Sequence, residues 1–362
     1  MKKRMLLVIC IGLIMCIAIA GCSSQAKESK SKTAEKLTSV VDQGGNEVQL
    51  PETITKVAIT PIPWASAMWA IDGGSQRIVS INPSAMAAYK TSFMPTLDPA
   101  FATISTAEIT KDFTINVEAL MNLKPEIAFI WNDQTAEAEQ LKAVGITPVM
   151  LNYAENLEDL KKDLLLVGQV LGKEDKAEKL TAYHTEVENY FIDKKAELDS
   201  VSKKKVMYLR NSKLSVAGAK NINNYLLELT GGANVAAGLD KQWSEVNMEQ
   251  ILQWNPEIIY LSNFDEIVPE DLYQNKIEGQ DWSNIDAVKN HRVYKTPMGI
   301  YRYDAPCVET PLMIKWMGSI QQPELFKDYD IRKDLKAFYK AFFSADLTDE
   351  NIDTILKVDA NS

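Results

Sequence analysis

NVEALMNLKPEIAFI, residues 116–130, carries the pattern that decides the fold. A near copy, NMEQILQWNPEIIYL, occupies residues 247–261, and aligns with the first stretch without a gap. The identical pairs, each 131 positions apart, are Asn116/Asn247, Glu118/Glu249, Pro125/Pro256, Glu126/Glu257 and Ile127/Ile258. A segment that recurs at this distance indicates two halves of equivalent architecture.

Each copy predicts a helix, a Pro-Glu turn and an apolar strand. Proline cannot continue a helix, so Pro125 and Pro256 predict where the two helices end. Glu118 and Glu249 fall in the first turn, where the helix dipole favours a carboxylate. That placement alone accounts for both acids, but two equivalent carboxylates would also present a pair of negative charges to a symmetric partner.

Short apolar runs alternate with helical patterns on both sides of the chain's middle. The strand-like runs are residues 57–60, 77–81, 127–131 and 147–151 in the first half, and 205–209, 258–262 and 292–295 in the second. Alternation of this kind favours parallel sheets. We predict an α/β fold of two lobes with mostly parallel central sheets, joined by one long rigid helix.

The proposed connection is a highly charged stretch free of proline. We predict one uninterrupted helix over residues 174–197, within a bridging segment 173–200 that separates an N-terminal lobe, 46–172, from a C-terminal lobe, 201–362. Such a rod holds two lobes at a fixed distance, whereas a Gly/Ser linker would let them move apart. The alternative is a surface helix of a single domain.

The first residues are typical of a lipoprotein signal peptide, 1–21. Three basic residues precede an uncharged apolar run, 5–20, which ends in small residues directly before Cys22. This arrangement predicts lipidation of Cys22 and anchoring at the extracytoplasmic face of the cell membrane, with a flexible tether over residues 22–45. The alternatives are a general secretion signal, or an uncleaved anchor, with a chance cysteine.

Composition excludes several classes of function. The formal net charge is −10, and removal of the basic signal residues makes it more negative, which argues against a nucleic-acid partner. Of four cysteines, only Cys307 would remain as a free thiol, so neither a disulfide nor a cysteine metal site is expected. No nucleophile elbow, zinc-protease motif or phosphate loop is present, so we predict no catalytic residues and no enzyme.

Eight stretches in order together resemble the periplasmic-binding-protein class that serves ABC importers of iron-siderophores, haem and vitamin B12. They are the sequence around Cys22, DQGGNEVQLPETITKVAI, NVEALMNLKPEIAFI, the charged bridging helix, TGGANVAAG, NMEQILQWNPEIIYLSN, WSNIDAVKNHRVY and PELFKDYDIRKDLKAFYKAFF. The resemblance implies two Rossmann-like lobes with a ligand cleft between them. It further implies a monomer that binds a small-molecule metal complex in that cleft, without a cofactor of its own. It also implies one surface glutamate per lobe that pairs with arginines of a dimeric ABC permease.

The positions that match the docking glutamates are Glu118 and Glu249, with Glu126 and Glu257 as the fallback. Ligand contacts are expected at the C-terminal ends of the strands. The candidates are Trp64, Tyr89, Trp131, Tyr153, Arg210, Tyr301, Arg302 and Tyr303. Aromatic walls with guanidinium groups suit a flat or chelated, partly anionic ligand, although core packing is an equal alternative for any one aromatic residue.

The sequence does not decide which ligand is bound. The first interpretation is a metal chelate such as an iron complex, the second a molybdate-type oxyanion, and the third a corrinoid. Haem is disfavoured because His184 and His291 are both expected on the surface, away from the cleft. Cys307 is expected to be a small packed residue, with a soft-ligand role as the alternative.

Overall fold

The computed structural model describes residues 38–327 and 329–362, and its first element is a β-hairpin. Strands β1 (Ser39–Val41) and β2 (Glu47–Gln49) pair in antiparallel fashion, and Val40 is buried. The prediction of a flexible tether over 22–45 is therefore wrong at its C-terminal end, because the apolar side chain of Val40 packs against the first lobe. Cys22 and the predicted signal peptide lie outside the described residues.

The first lobe contains a four-stranded sheet in which all strands are parallel. Its strands are β3 (Val57–Ile59), β4 (Ile78–Ile81), β5 (Ile127–Trp131) and β6 (Thr147–Leu151), in the order β4-β3-β5-β6. Around it lie α1 (Trp64–Asp72), α2 (Pro83–Thr91), α3 (Met94–Leu97), a 3₁₀ helix (Pro99–Thr103), α4 (Val117–Leu123), α5 (Thr135–Ala143) and α6 (Leu157–Leu171). Every residue of β5 is buried, as expected for a parallel strand covered on both faces.

The second lobe contains a six-stranded mixed sheet. Its strands are β7 (Lys204–Leu209), β8 (Ser215–Ala217), β9 (Gly232–Asn234), β10 (Trp243–Glu245), β11 (Ile258–Leu261) and β12 (Val293–Lys295). The order is β10-β8-β7-β11-β12, with β9 also paired to β7. Strands β7, β9, β11 and β12 pair in parallel, whereas β8 and β10 form an antiparallel edge.

Two helices, not one, occupy the bridging segment. Helix α7 runs from Glu174 to Asp193, and α8 from Lys195 to Ser200. The prediction of one helix through residue 197 is thus wrong at its end. Helix α7 is roughly 30 Å long at 1.5 Å per residue. It packs on α6 of the first lobe and also on elements of the second lobe, as the bridging prediction requires.

The second lobe's helices are α9 (Ile222–Leu229), α10 (Met248–Trp254), α11 (Pro269–Tyr273), α12 (Asp286–Lys289), α13 (Thr310–Gln321), α14 (Ile331–Phe343), α15 (Asp349–Leu356) and α16 (Val358–Asn361). Helix α14 also reaches the first lobe: the rings of Trp69 on α1 and Phe343 meet edge to face, 5.5 Å apart. The ring centroids of Tyr183 on α7 and Phe338 on α14 lie 5.5 Å apart. The C-terminal helices therefore join the lobes a second time.

The sequence repeat corresponds to two copies of one structural unit. In the first copy α4 leads into β5, which lies between β3 and β6; in the second α10 leads into β11, which lies between β7 and β12. Both helices end on a left-handed residue before the proline, Lys124 (φ 54°) and Asn255 (φ 44°). Among residues 38–327 and 329–362, no helix has both the length and the apolar character needed to cross a membrane.

Candidate functional site: a cleft between the two lobes

A cavity of about 270 Å³ lies between the lobes. Four of its lining residues follow from strand ends: Trp64 begins the helix after β3, Trp131 ends β5, Tyr153 lies just after β6, and Arg210 directly follows β7. Ligands bind at the carboxyl ends of the strands in open parallel sheets. The predicted location of the cleft thus agrees with the geometry.

The cavity wall is dominated by aromatic rings from both lobes. They belong to Trp64, Phe113, Trp131, Tyr153, Trp243, Phe264 and Tyr301. Trp131 and Tyr153 stack with their ring centroids 4.1 Å apart and 19° between planes. Tyr153 is more than one-third exposed, so the stack presents an accessible flat surface. Such a wall buries the faces of a flat or ring-bearing ligand.

Arg210 supplies the guanidinium group of the cavity wall. Its Cζ lies 4.8 Å from the ring centroids of both Trp243 and Phe264, so cation–π contacts hold the side chain in place. Burial lowers the pKa of Arg210, whereas the nearby Asp304 carboxyl raises it. Arginine remains charged at neutral pH even so. Within the described part of the chain, its side-chain N–H groups have no hydrogen-bond partner.

Asp304 lines the cavity and is almost fully buried. Its Oδ2 accepts a hydrogen bond from Ser262, whereas Oδ1 has no partner among the described residues. Burial raises the pKa of Asp304, and Ser262 and Arg302 oppose that shift. The Nε1 of Trp131 is likewise buried without a partner. Asp304 Oδ1 and Trp131 Nε1 are therefore a buried acceptor and a buried donor in the cavity lining, each without a partner among the described residues.

Arg302 does not line the cavity, although we expected it to contact the ligand. Its Nε donates to the carbonyl of Asn263 at 2.9 Å, and Nη1 donates to the Tyr301 hydroxyl at 3.3 Å. Its Cζ also lies 4.5 Å from the Phe264 ring centroid. Arg302 therefore supports two of the lining rings from outside the cavity. Tyr301, another expected contact, does line the cavity, and burial raises its pKa to about 12.

Tyr89 and Tyr303 are packed in the core, which contradicts their prediction as ligand contacts. Tyr89 stacks on Phe101 at 5.0 Å and donates its hydroxyl hydrogen to the Asp98 carbonyl. Tyr303 donates to Glu309 Oε1 at 3.1 Å and is 1% exposed. For both tyrosines, the alternative of core packing is the correct one.

Several lining residues were not identified from the sequence. Phe264 and Asp304 lie in segments that follow β11 and β12, where ligand contacts are expected, but neither is among the eight candidate residues. Phe113 comes from a loop before α4, and Trp243 from the antiparallel edge strand β10. Neither of these two follows a parallel strand. The expectation that ligands bind at the C-terminal ends of parallel strands, here called the strand-end rule, therefore did not point to them.

The predictions for the histidines and Cys307 have mixed outcomes. His184 is fully buried, not on the surface as expected, and its Nε2 lies 3.1 Å from the Val308 carbonyl. Burial lowers the pKa of His184 to about 3, so the neutral ring donates from Nε2. His291 is exposed, and Cys307 is a buried packed thiol. No group of three or more metal-binding side chains occurs among the described residues.

The two candidate docking glutamates lie on the surface, one per lobe. Glu118 is in the first turn of α4 and Glu249 in the first turn of α10. Both are exposed, and neither forms an ion pair with another described residue. The fallback pair instead braces the sheets. Glu126 Oε2 accepts from the Lys56 amide at 2.7 Å, and Glu257 Oε2 accepts from the Lys205 amide at 2.9 Å.

A sequence model of a known family, described as periplasmic binding protein, matches residues 74–298. The chain belongs to the periplasmic binding protein family. This confirms the resemblance and the two-lobed α/β fold. A solved periplasmic solute binding protein from Veillonella parvula is 46% identical, with a TM-score of 0.84 over 89% of this chain and 98% of that one.

Two further members of the periplasmic binding protein family differ in what their names say they bind. The molybdate-binding protein MolA of Haemophilus influenzae is 25% identical over 66% of this chain and 72% of its own length. The Fe(3+)-citrate-binding protein YfmC of Bacillus subtilis is 21% identical over 81% of this chain and 89% of its own. Members of the family are extracytoplasmic solute-binding proteins of ABC importers, and they act in transport, not as enzymes.

Proposed function

We propose that this protein captures an anionic metal chelate, such as an iron complex, at the extracytoplasmic face of the membrane and delivers it to an ABC permease. One observation carries the choice of ligand: aromatic rings from both lobes line the same cavity as Arg210, whose guanidinium has no hydrogen-bond partner among the described residues. The rings bury the organic part of a chelate, and the guanidinium pairs with its oxygen atoms. The function requires binding and release only, without a catalytic step.

A molybdate-type oxyanion is the second candidate, supported by the likeness to MolA. A small oxyanion needs several donors, because burying its charge is costly unless hydrogen bonds compensate. The lining amides are largely engaged inside the protein. Asn152 Nδ2 donates to Gln43 Oε1 at 3.0 Å, and Asn221 Nδ2 donates to the Gln242 carbonyl at 3.1 Å. This arrangement favours the chelate over the oxyanion. A corrinoid ranks third, supported by the likeness to vitamin B12-binding proteins.

Spectroscopy and metal analysis of the protein purified from its native host test the ligand class directly. Titrations with ferric citrate, a ferric catechol chelate, molybdate and cobalamin, followed by tryptophan fluorescence, then rank the ligands. We expect an iron chelate to bind best, and Arg210→Gln to weaken it by at least about tenfold, on the scale of one lost charged hydrogen bond. Lys213→Gln, an exposed cation outside the cavity wall, is the control. Tight molybdate binding with no chelate binding would reverse the order.

Delivery would use the two surface carboxylates as contacts with a dimeric permease. Glu118 and Glu249 occupy equivalent places on the two lobes and lack cationic partners within the described chain. Replacing both with alanine should abolish uptake and leave ligand affinity unchanged. Glu137→Ala with Glu270→Ala is the matched control, because these acids also lie in first helical turns. Normal uptake by the Glu118/Glu249 double variant would refute the docking assignment.

Attachment to the membrane is proposed to depend on a lipid at Cys22. The small residues before Cys22 and the apolar run before them support this proposal. Cys22→Ser should release the protein from the membrane fraction and abolish incorporation of labelled palmitate. A variant that still fractionates with membranes would show that another part of the chain holds it there.

A further inference from the structure

Two large apolar side chains are exposed at equivalent positions of the two lobes. Met121 on α4 is 45% exposed, and Leu252 on α10 is 42% exposed. They lie 131 positions apart, the spacing of the sequence repeat. Each comes three residues after one of the surface glutamates, Glu118 or Glu249. The other exposed large apolar side chains of the described chain, such as Ile192 and Val358, have no such counterpart.

The apolar side chain and the acid share one face of each helix. Residues three and four positions apart are neighbours on a helix surface. The exposed face therefore carries an acid, an apolar residue and an amide in both lobes: Glu118, Met121 and Asn122 on α4, and Glu249, Leu252 and Gln253 on α10. The opposite face is anchored, because Leu120 and Ile251 are fully buried. Each lobe thus presents the same small surface on a fixed helix.

We propose that Met121 and Leu252 are the apolar centres of two equivalent docking patches, each seated on one subunit of a homodimeric ABC permease. The inference rests on the proposed function and adds a second contact beside each glutamate. Two equal patches on one chain fit a partner with two equal subunits. The partner surface that covers each patch must be basic, because each patch carries a carboxylate without a cationic partner in the described chain.

The chemistry of the complementary surface follows from the patch. A cation that pairs with Glu118 lies within one helical turn of Met121, so its own apolar part covers that side chain. Arginine suits this position because its flat guanidinium stacks on apolar surface while it binds a carboxylate in two-pronged fashion. Water exclusion by Met121 or Leu252 would in turn strengthen the neighbouring ion pair. A second copy of this chain would instead oppose like charges.

Site-specific photo-cross-linking in intact cells tests the inference. A benzophenone amino acid is placed at position 121 or 252, at the neighbouring position 118 or 249, and at the control positions 192 and 358. The controls replace Ile192 and Val358, which are 47% and 39% exposed. We expect benzophenone at position 121 and at position 252 to cross-link to the same polytopic ABC permease subunit, identified by mass spectrometry. The control positions should give no such product.

The outcomes separate this inference from the proposed function. Products with the permease from 118 and 249 but not from 121 and 252 would overturn the apolar contact and leave the proposed function standing. Products between two copies of this chain would also overturn it. An absence of permease products at all four positions would overturn both the inference and the assignment of Glu118 and Glu249 as docking residues.

A binding measurement shows how much the two apolar side chains contribute to docking. With the identified permease in lipid nanodiscs, Met121→Ser with Leu252→Ser should weaken docking by about tenfold or more, because each change removes a central apolar contact. Ile192→Ser with Val358→Ser should leave docking unchanged. Both double variants should unfold at the wild-type temperature, since all four side chains are exposed. Equal docking by the two double variants would contradict the inference.

Discussion

Glu309 Oε1 accepts a hydrogen bond of 2.6 Å from the Tyr339 hydroxyl in the interior of the second lobe. The same carboxyl group accepts from the Tyr303 hydroxyl and from the backbone amides of Ile300 and Tyr301. Tyr301 lines the cleft, so one buried acid fixes a segment of the cavity wall to a C-terminal helix. The charge state of Glu309 therefore affects both stability and the shape of the site.

Glu309→Gln should flatten the dependence of stability on pH. Burial raises the pKa of Glu309 to about 7, although its hydrogen bonds oppose that shift. A raised folded-state pKa gives stability that is full below the unfolded-state value of 4.5 and is lost as pH rises through about 7. Urea unfolding at about pH 5 and about pH 8 measures the effect. Between these two pH values, the unfolding free energy of the wild type should fall by on the order of 2 kcal/mol more than that of the variant.

The comparison with the variant is needed because His184 acts in the opposite direction. Its pKa is lowered to about 3, so its contribution is present above the unfolded-state value of 6.5 and is lost as pH falls below it. His184 is unchanged in Glu309→Gln, so its contribution cancels in the difference. Parallel stability curves for the two proteins would show that Glu309 does not titrate in this range.

Gly299→Ala should destabilise the protein through the same acid. A Cβ at Gly299 would fall on Glu309 Oε1 and the Tyr339 hydroxyl. The Gly299 carbonyl also accepts from the Phe93 amide of the first lobe at 2.8 Å, which limits backbone relief. We expect a loss of about 1–3 kcal/mol in unfolding free energy, the cost of overpacking. Gly238→Ala, where the added Cβ meets nothing within 4 Å, is the control and should unfold like wild type.

Sequence repetition predicted the architecture well because it reports directly on structural equivalence. The two copies occupy equivalent places in the two sheets. The strand-end rule placed Trp64, Trp131, Tyr153, Arg210 and Tyr301 on the cavity wall, since the direction of parallel strands is fixed by their connections. The rule could not reach Trp243 because an antiparallel edge strand brings it there.

Side-chain direction within loops could not be predicted from the sequence. Tyr301 faces the cavity, whereas Tyr303, two residues on, faces Glu309. Loop residues follow no regular period, so neither assignment had a pattern to rest on. For His184, in contrast, the sequence does contain a pattern that indicates the direction of the side chain. His184 belongs to the buried helical series Ala177, Leu180, His184, Val187, Phe191. That spacing of three and four residues is typical of a core-facing stripe.

Glu126 and Glu257 should contribute to stability but not to docking. Burial raises the pKa of Glu126, but hydrogen bonds from the amides of Lys56 and Thr55 outweigh it and lower the pKa overall. Replacing Glu126 with alanine should cost about 1–2 kcal/mol in unfolding free energy, the scale of hydrogen bonds to a charged group. Uptake per folded molecule should stay at the wild-type level.

The matched comparison is Glu118→Ala, whose carboxylate accepts no hydrogen bond from another described residue. Its loss should cost less than about 1 kcal/mol, the scale of the helix-dipole contribution. The lowered pKa of Glu126 also implies a pH effect: its contribution is present above the unfolded-state value of 4.5 and disappears as pH falls through the folded-state value. Chemical unfolding of both variants at neutral and acidic pH checks the assignment. Loss of uptake with unaltered stability in Glu126→Ala would transfer the docking role to the fallback pair.

Arg302→Gln should weaken ligand binding without removing its dependence on salt. The guanidinium of Arg302 supports Phe264 and Tyr301 from outside the cavity, so its loss loosens the wall but leaves Arg210 in place. We expect a severalfold weaker ligand affinity and a lower unfolding temperature. Arg210→Gln should instead lose most of the salt dependence, because the charge that faces the ligand is gone. Titrations of ferric citrate at low and high ionic strength distinguish the two roles, and equal salt dependence in both variants would mean that Arg302 also contacts the ligand.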